Sequence, residues 1–171
     1  MRIYLTGFMG AGKTTVGRLL ADRLGWPFVD LDQEVEGRAG RSVREIFAAL
    51  GEAEFRRLER EVLAATFGAD PLVVAVGGGT LADPAVLEAT RARGLVVFLN
   101  PPFATIAARI GALGKSDRPL FRDEAGALAL YRERLDAYRR ADRTIDVGPA
   151  EAAEEVAARI VLGLPEGTCS T

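Results

Sequence analysis

The sequence predicts an α/β protein built on a parallel sheet. Short apolar runs alternate along it with longer segments of helical period, the pattern of strands joined by helical crossovers. Several of those runs are rich in Val, Ile and Leu without alternation, as strands covered on both faces require. The chain has 171 residues, 49% hydrophobic and 27% charged, which is enough for one domain with a real core.

Taken in order, "RIYL" at 2–5 is the first apolar run, and it leads into the glycine-rich stretch "GFMGAGKTT" at 7–15. A segment of helical period follows at 13–24, then a second short run at 27–30. The interval 31–67 holds two helical segments, 43–50 and 52–67, about twice what a crossover between consecutive strands needs. The run at 72–76, "LVVAV", enters three glycines, and a helix is expected at 84–93. A strand at 95–99 and a helix at 102–110 come next. The stretch 111–124 contains two glycines, Lys115 and two arginines with little apolar period, and reads as a mobile loop. A helix at 124–140, a strand at 144–147 and a helix at 149–162 complete the pattern, ahead of a fraying "PEGTCST". Insertions such as 31–67 and 111–124 are where a sheet scaffold carries a substrate pocket and a lid.

Composition removes several classes of function. A net charge of −2 argues against a nucleic-acid footprint. The single cysteine, Cys169, stands in a polar tail and histidine is absent, so neither a disulfide framework nor a zinc site is expected, and a reducing cytoplasm fits. No basic-then-apolar leader opens the chain and no run of about 18 apolar residues occurs, so a soluble, unprocessed protein without membrane contact is expected. Nothing resembles a coiled-coil seam, and a monomer is the expectation.

Gly7, Gly12, Lys13 and Thr14 satisfy G-x-x-x-x-G-K-[ST], with an apolar strand before and an amphipathic helix after. Glycine permits the close backbone approach that lets successive N–H groups face phosphate oxygens, and the helix adds its positive end to the same spot. Gly10, Ala11, Gly12, Lys13, Thr14 and Thr15 are therefore the expected ATP loop. Lys13 is expected to reach the β- and γ-phosphates, and the Thr14 hydroxyl to ligate Mg²⁺.

A second, acidic group is needed on the metal side. "PFVDLD" supplies Asp30 and Asp32, whose side chains would leave the same side of a strand if it continued that far. Asp30 then serves Mg²⁺ and Asp32 an acceptor hydroxyl; the plain alternative is that such aspartates cap the next helix. A guanine-reading switch protein would need N-K-x-D, but the one asparagine, Asn100, precedes Pro101. A larger motor ATPase would close a strand on Asp-Glu, whereas 72–76 runs into Gly77. A small kinase remains.

"GFMGAGKTT", "DLDQEVE", "GRSVREIFAALGEAEFRRLE", "VVAVGGG", "RPLF" and "RERLDAYRRAD" occur in the order and approximate spacing of shikimate kinases, which the chain resembles over roughly 1–147. The resemblance implies a three-layer P-loop NTPase fold of nucleoside-monophosphate-kinase type, a five-stranded parallel sheet of order 2-3-1-4-5 flanked by helices. It implies transfer of the ATP γ-phosphate to the 3-hydroxyl of shikimate, a step toward chorismate and the aromatic amino acids. One kinase domain, 1–171, would carry a substrate-binding insertion at about 31–67 and a lid at about 111–124.

By residue, the resemblance implies that Arg56 and Arg134 hold the shikimate carboxylate, a task that suits the planar guanidinium fork. Asp32 becomes the base or orienting group for the 3-hydroxyl. Gly78 and Gly79, in the Gly77-Gly78-Gly79 triplet, would offer backbone N–H groups to substrate oxygens. Arg118 of "DRPLF" would reach the transferring phosphoryl group on closure, with Lys115 a weaker helper and Arg109 a candidate for stacking on adenine. Where the family usually has Pro and Leu before Tyr, this chain has Leu135, Asp136 and Ala137 before Tyr138, which places Asp136 to compete for the Arg134 guanidinium. The competing readings are a gluconate-type sugar-acid kinase, a nucleoside monophosphate kinase, and a binding module without acceptor chemistry.

Overall fold

The computed structural model describes residues 1–112, 123–165 and 168. Its elements run β1 (Arg2–Thr6), α1 (Lys13–Leu24), β2 (Phe28–Asp30), α2 (Leu31–Ala39), α3 (Val43–Thr66), β3 (Leu72–Ala75), α4 (Pro84–Arg91), β4 (Leu95–Asn100), α5 (Phe103–Ala112), α6 (Glu124–Arg139), β5 (Arg143–Asp146) and α7 (Ala153–Leu162), with a 3-10 turn at Thr80–Ala82. The five strands are all parallel, in the order β2-β3-β1-β4-β5. That is the three-layer arrangement and strand order expected.

Both faces of the sheet are covered, which explains apolar runs without alternation. Ile3, Tyr4 and Leu5 are consecutive and each fully buried. Ile3, Leu5, Val73, Val97 and Ile145 pack with Val16 and Leu20 of α1 and Val156 and Ile160 of α7. Tyr4, Val74 and Val96 face the other way, onto Ile46, Phe55 and Leu63 of α3 and Leu87 of α4. A third cluster joins Phe8 and Phe98 to Ile106 and Ile110 of α5 and Tyr138 of α6. From β1 the chain crosses to β2 on one side, and from β3 it crosses past β1 to β4 on the other, so the carboxyl ends of β1 and β3 border the crevice where an open α/β sheet takes its ligand.

Three boundaries differ from expectation for identifiable reasons. α2 was not expected, because only Leu31 and Val35 are buried along it and so short a stripe gives no clear helical period. The expected break between two helices at Gly51 is present as a kink: helix runs through Val43–Thr66 with Gly51 at φ 81° and ψ 170°. α7 starts at Ala153 because residues 148–151 form a turn, in which the Gly148 N–H donates to Glu151 Oε2 at 2.8 Å and the Glu151 N–H returns to Gly148 O at 3.2 Å. No helix among the described residues is long and apolar enough to cross a membrane.

Candidate active site

β1 ends at Thr6, and the loop that follows wraps back to start α1 at Lys13. Gly10 and Gly12 take φ values of 77° and 95°, left-handed backbone that a Cβ would strain, and Gly12 caps α1. Lys13 Nζ donates to Gly7 O at 2.8 Å and Phe8 O at 3.0 Å, lying across the mouth of the loop. Gly10, Ala11, Gly12, Lys13, Thr14 and Thr15 all line one cleft of about 560 Å³. Arg109 lines it too, its guanidinium donating to Gly10 O at 3.2 Å, and Val147, Ala153 and Val156 give its far end an apolar wall. A nucleotide laid along this cleft would have its phosphates on the loop and its base against that wall.

The two aspartates are arranged differently from a continuing strand. β2 stops at Asp30 and the chain turns at once into α2. Asp30 Oδ1 accepts the N–H groups of Asp32, at 3.1 Å, and Gln33, at 3.3 Å, so Asp30 does cap a helix. Its other oxygen, Oδ2, accepts the Thr14 hydroxyl at 2.6 Å. The capping reading of Asp30 is therefore correct, and its second oxygen is turned to the first turn of α1 beside the phosphate loop. Asp32 enters the site from the first turn of α2 and not from a strand.

Thr14 and Asp30 present hard oxygens beside the phosphate loop, a donor set that suits Mg²⁺ bound by one or two protein oxygens, substrate phosphates and water. Among the described residues no group of three or more His, Cys, Asp or Glu could cage a metal without such help.

A smaller pocket of about 60 Å³ adjoins the cleft, lined by Asp32, Arg56, Glu59, Gly78, Gly79 and Arg134. Asp32 and Met9 line both spaces. Phe47 and Phe55 form an apolar side, ring centroids 4.8 Å apart, and the Arg56 guanidinium lies over Phe55 at 5.3 Å. The pocket thus combines two guanidinium groups from α3 and α6, two carboxylates, a glycine backbone and an apolar side made by two mutually tilted aromatic rings.

Glu59 holds this pocket together and was not foreseen. Its side chain is almost wholly buried; one oxygen pairs with Arg56 Nη1 and the other accepts the Thr80 hydroxyl at 2.7 Å. Burial raises its carboxyl above the usual value, against the pull of Arg56 and of the Thr80 hydroxyl. Burial works against the charge of Arg56 as well, but Glu59 and then Glu52 outweigh it and hold the guanidinium above its ordinary value. Glu52 Oε1 accepts from Arg56 Nε and Nη2 at 3.3 and 3.2 Å. The signal in the sequence was the spacing of Glu52, Arg56 and Glu59, which falls on one helix face.

The glycines are dictated by close packing. A Cβ on Gly77 would run into Glu59 Oε1 and stand 2.8 Å from Thr80 Oγ1 and 3.0 Å from Asp32 Oδ1. On Gly79 it would stand 2.6 Å from Arg56 Nη2. Gly78 borders Arg134 Nη1, at 3.8 Å from such an atom, and the loop N–H of Met9 at 3.3 Å. Arg134 is buried on α6. The expected competition from Asp136 does not occur: its exposed side chain turns outward to Arg139, 3.7 Å away. Arg118, Lys115 and Cys169 lie outside the described residues.

The family described as shikimate kinase matches residues 9–164. A shikimate kinase of Salinibacter ruber is 44% identical over 172 residues, covering 94% of this chain and 83% of the relative. Among solved structures, the shikimate kinase from Acinetobacter baumannii in complex with shikimate matches with a TM-score of 0.88 at 38% identity, covering 94% of this chain and 90% of that one. The shikimate kinase from Aquifex aeolicus matches with a TM-score of 0.84 at 40% identity, covering 95% of each chain. On sequence and on fold alike, the chain belongs to the shikimate kinase family.

Proposed function

We propose that this chain transfers the γ-phosphoryl group of ATP to the 3-hydroxyl of shikimate, giving shikimate 3-phosphate and ADP, a step toward chorismate and the aromatic amino acids. The observation that carries this reading is the position of Asp32, shared between the phosphate-loop cleft and the arginine-lined pocket. A hydroxyl held by Asp32 stands between the two spaces, where the acceptor oxygen of a phosphoryl transfer has to be. Arg56 and Arg134 fit a carboxylate, and Phe47 and Phe55 fit the face of a small ring. The chain works as one domain, with 31–67 as its acceptor-binding insertion.

In the reaction, the 3-hydroxyl oxygen attacks the γ-phosphorus, the bond from that phosphorus to the β–γ bridging oxygen breaks, and the hydroxyl proton passes to the Asp32 carboxylate. The transition state of such transfers is loose, so alignment and charge neutralisation contribute more than proton removal. Lys13 and the loop N–H groups stabilise charge on the phosphates, while Arg56 and Arg134 fix the ring so that its 3-hydroxyl meets Asp32. Thr14 and Asp30 would hold Mg²⁺, which supplies further neutralisation of phosphate charge. Arg118 is assigned to the transferring group by the resemblance of "RPLF" to the family's motif. Cytoplasmic location and action as a monomer, without nucleic-acid or membrane partners, complete the reading.

The test is ADP release from Mg·ATP with shikimate, gluconate, AMP or CMP added separately. Turnover with shikimate alone is expected. Turnover with another acceptor, or ATP binding without turnover, would overturn it.

A further inference from the structure

Tyr138 sits on the last turn of α6, 1% exposed, its ring stacked on Phe98 of β4 with centroids 5.2 Å apart and planes 29° from parallel. Its hydroxyl donates to Gly78 O, the carbonyl in the middle of the glycine triplet. Among the described residues the peptide bond after Gly78 is trans. In a planar trans peptide the carbonyl of one residue and the N–H of the next point in opposite directions. With Gly78 O held by Tyr138, the Gly78–Gly79 peptide and hence the direction of the Gly79 N–H are restrained, beside the small pocket that both glycines line.

We propose that Tyr138 is a positioning residue for the acceptor: its grip on the Gly78 carbonyl turns the Gly79 N–H into the pocket, aimed at a substrate oxygen beside the arginine fork. The inference rests on the reading of that pocket as the shikimate site.

The physical need is plain. A peptide between two glycines is the backbone most free to rotate, because no Cβ restricts either neighbour. An N–H that is to recognise a substrate oxygen must be held in one orientation before the substrate arrives, or binding has to supply that order. The tyrosine hydroxyl provides the restraint, and the stacked ring fixes the hydroxyl. Burial pushes the Tyr138 hydroxyl up to about 12, with Arg134 opposing, so it keeps its proton and remains a donor across the neutral range. Arg134 lies four residues earlier on the same helix face. One helix therefore carries both an arm of the carboxylate fork and the hold on the adjacent N–H, which fixes their mutual distance.

The test is Tyr138→Phe, which removes one oxygen and keeps the stacked ring. The expected result is a rise of roughly tenfold in KM for shikimate, with kcat and KM for Mg·ATP within about twofold of the parent. A second measurement needs no variant: in a ¹⁵N-labelled parent protein, shikimate is expected to move the Gly79 amide proton downfield, and Tyr138→Phe to diminish that shift. Unchanged kinetics, equal rises in both KM values, or no response of the Gly79 amide while other pocket amides respond would overturn the proposal. If the parent shows no turnover and no pocket amide responds to shikimate, the acceptor reading itself fails and this inference goes with it.

Discussion

Thr14 donates its hydroxyl hydrogen to Asp30 Oδ2 at 2.6 Å, joining the first turn of α1 to the end of β2. The other Asp30 oxygen accepts the Asp32 N–H, so the Thr14–Asp30 pair and the backbone that carries Asp32 belong to one hydrogen-bonded unit. Whatever binds at Thr14 and Asp30 is thereby linked to the start of the helix that carries Asp32.

Asp30 then has two separable roles. Asp30→Asn keeps a capping oxygen but weakens the cation site, and is expected to raise KM for Mg·ATP by roughly tenfold with little change in melting temperature. Asp30→Ala is expected to remove the cap as well, losing about 1 kcal/mol of stability. Steady-state kinetics as a function of Mg²⁺, beside urea unfolding of both variants, checks the separation.

Asp32→Asn retains shape and first-turn position but accepts no proton. Turnover is expected to fall by about 10²-fold while KM for Mg·ATP stays near the parent value. Pre-steady-state measurement of the chemical step checks that the loss lies in transfer and not in nucleotide binding.

The glycine triplet separates packing from binding. Gly79 has φ −116° and ψ −5°, which alanine adopts freely, so Gly79→Ala should harm only the contact with Arg56, 2.6 Å from the new Cβ. The free end of Arg56 can move aside, so the expected result is a nearly unchanged melting temperature with KM for shikimate raised roughly tenfold. Gly77→Ala meets the buried Glu59 carboxylate and Thr80 instead, and is expected to cost about 1–3 kcal/mol of stability. Thermal unfolding and shikimate kinetics on the two variants distinguish these outcomes.

Glu59 gives a pH dependence with opposite signs for stability and function. Its folded value is raised, so the native state holds the proton more tightly than the unfolded chain does. The stability it contributes is full below about 4.5, its ordinary value, and is lost as pH rises through the raised one. Its grip on Arg56 needs the carboxylate, so KM for shikimate is expected to fall as pH rises through the same window. Glu59→Gln should flatten that profile, and its stability relative to the parent should improve as pH rises; kinetics and urea unfolding from pH 4.5 to neutrality read both.

The sheet was legible because buried parallel strands write unbroken apolar runs, and the phosphate loop because its glycines and Lys13 fall at fixed spacing within one short stretch, 7–13. The acceptor pocket was legible only through resemblance: Arg56 and Arg134 stand on helices that look solvated, and nothing local says that they meet. Glu59 was hidden for the same reason, since "RRLERE" reads as a charged surface until the fold buries one of its acids. Asp32 was identified, but the strand does not continue as far as it, because the chain turns at Asp30, which caps α2. Nothing in the sequence ties Tyr138 to the glycine triplet sixty residues earlier; the fold brings its hydroxyl to Gly78 O.

The carboxylate fork is the central claim, and Arg56→Ala tests it most directly, with KM for shikimate and for Mg·ATP measured side by side. KM for shikimate is expected to rise by roughly 100-fold, with KM for Mg·ATP within about twofold of the parent. An unchanged KM for shikimate, or an equal rise for both substrates, would contradict the assignment of Arg56 to the acceptor carboxylate.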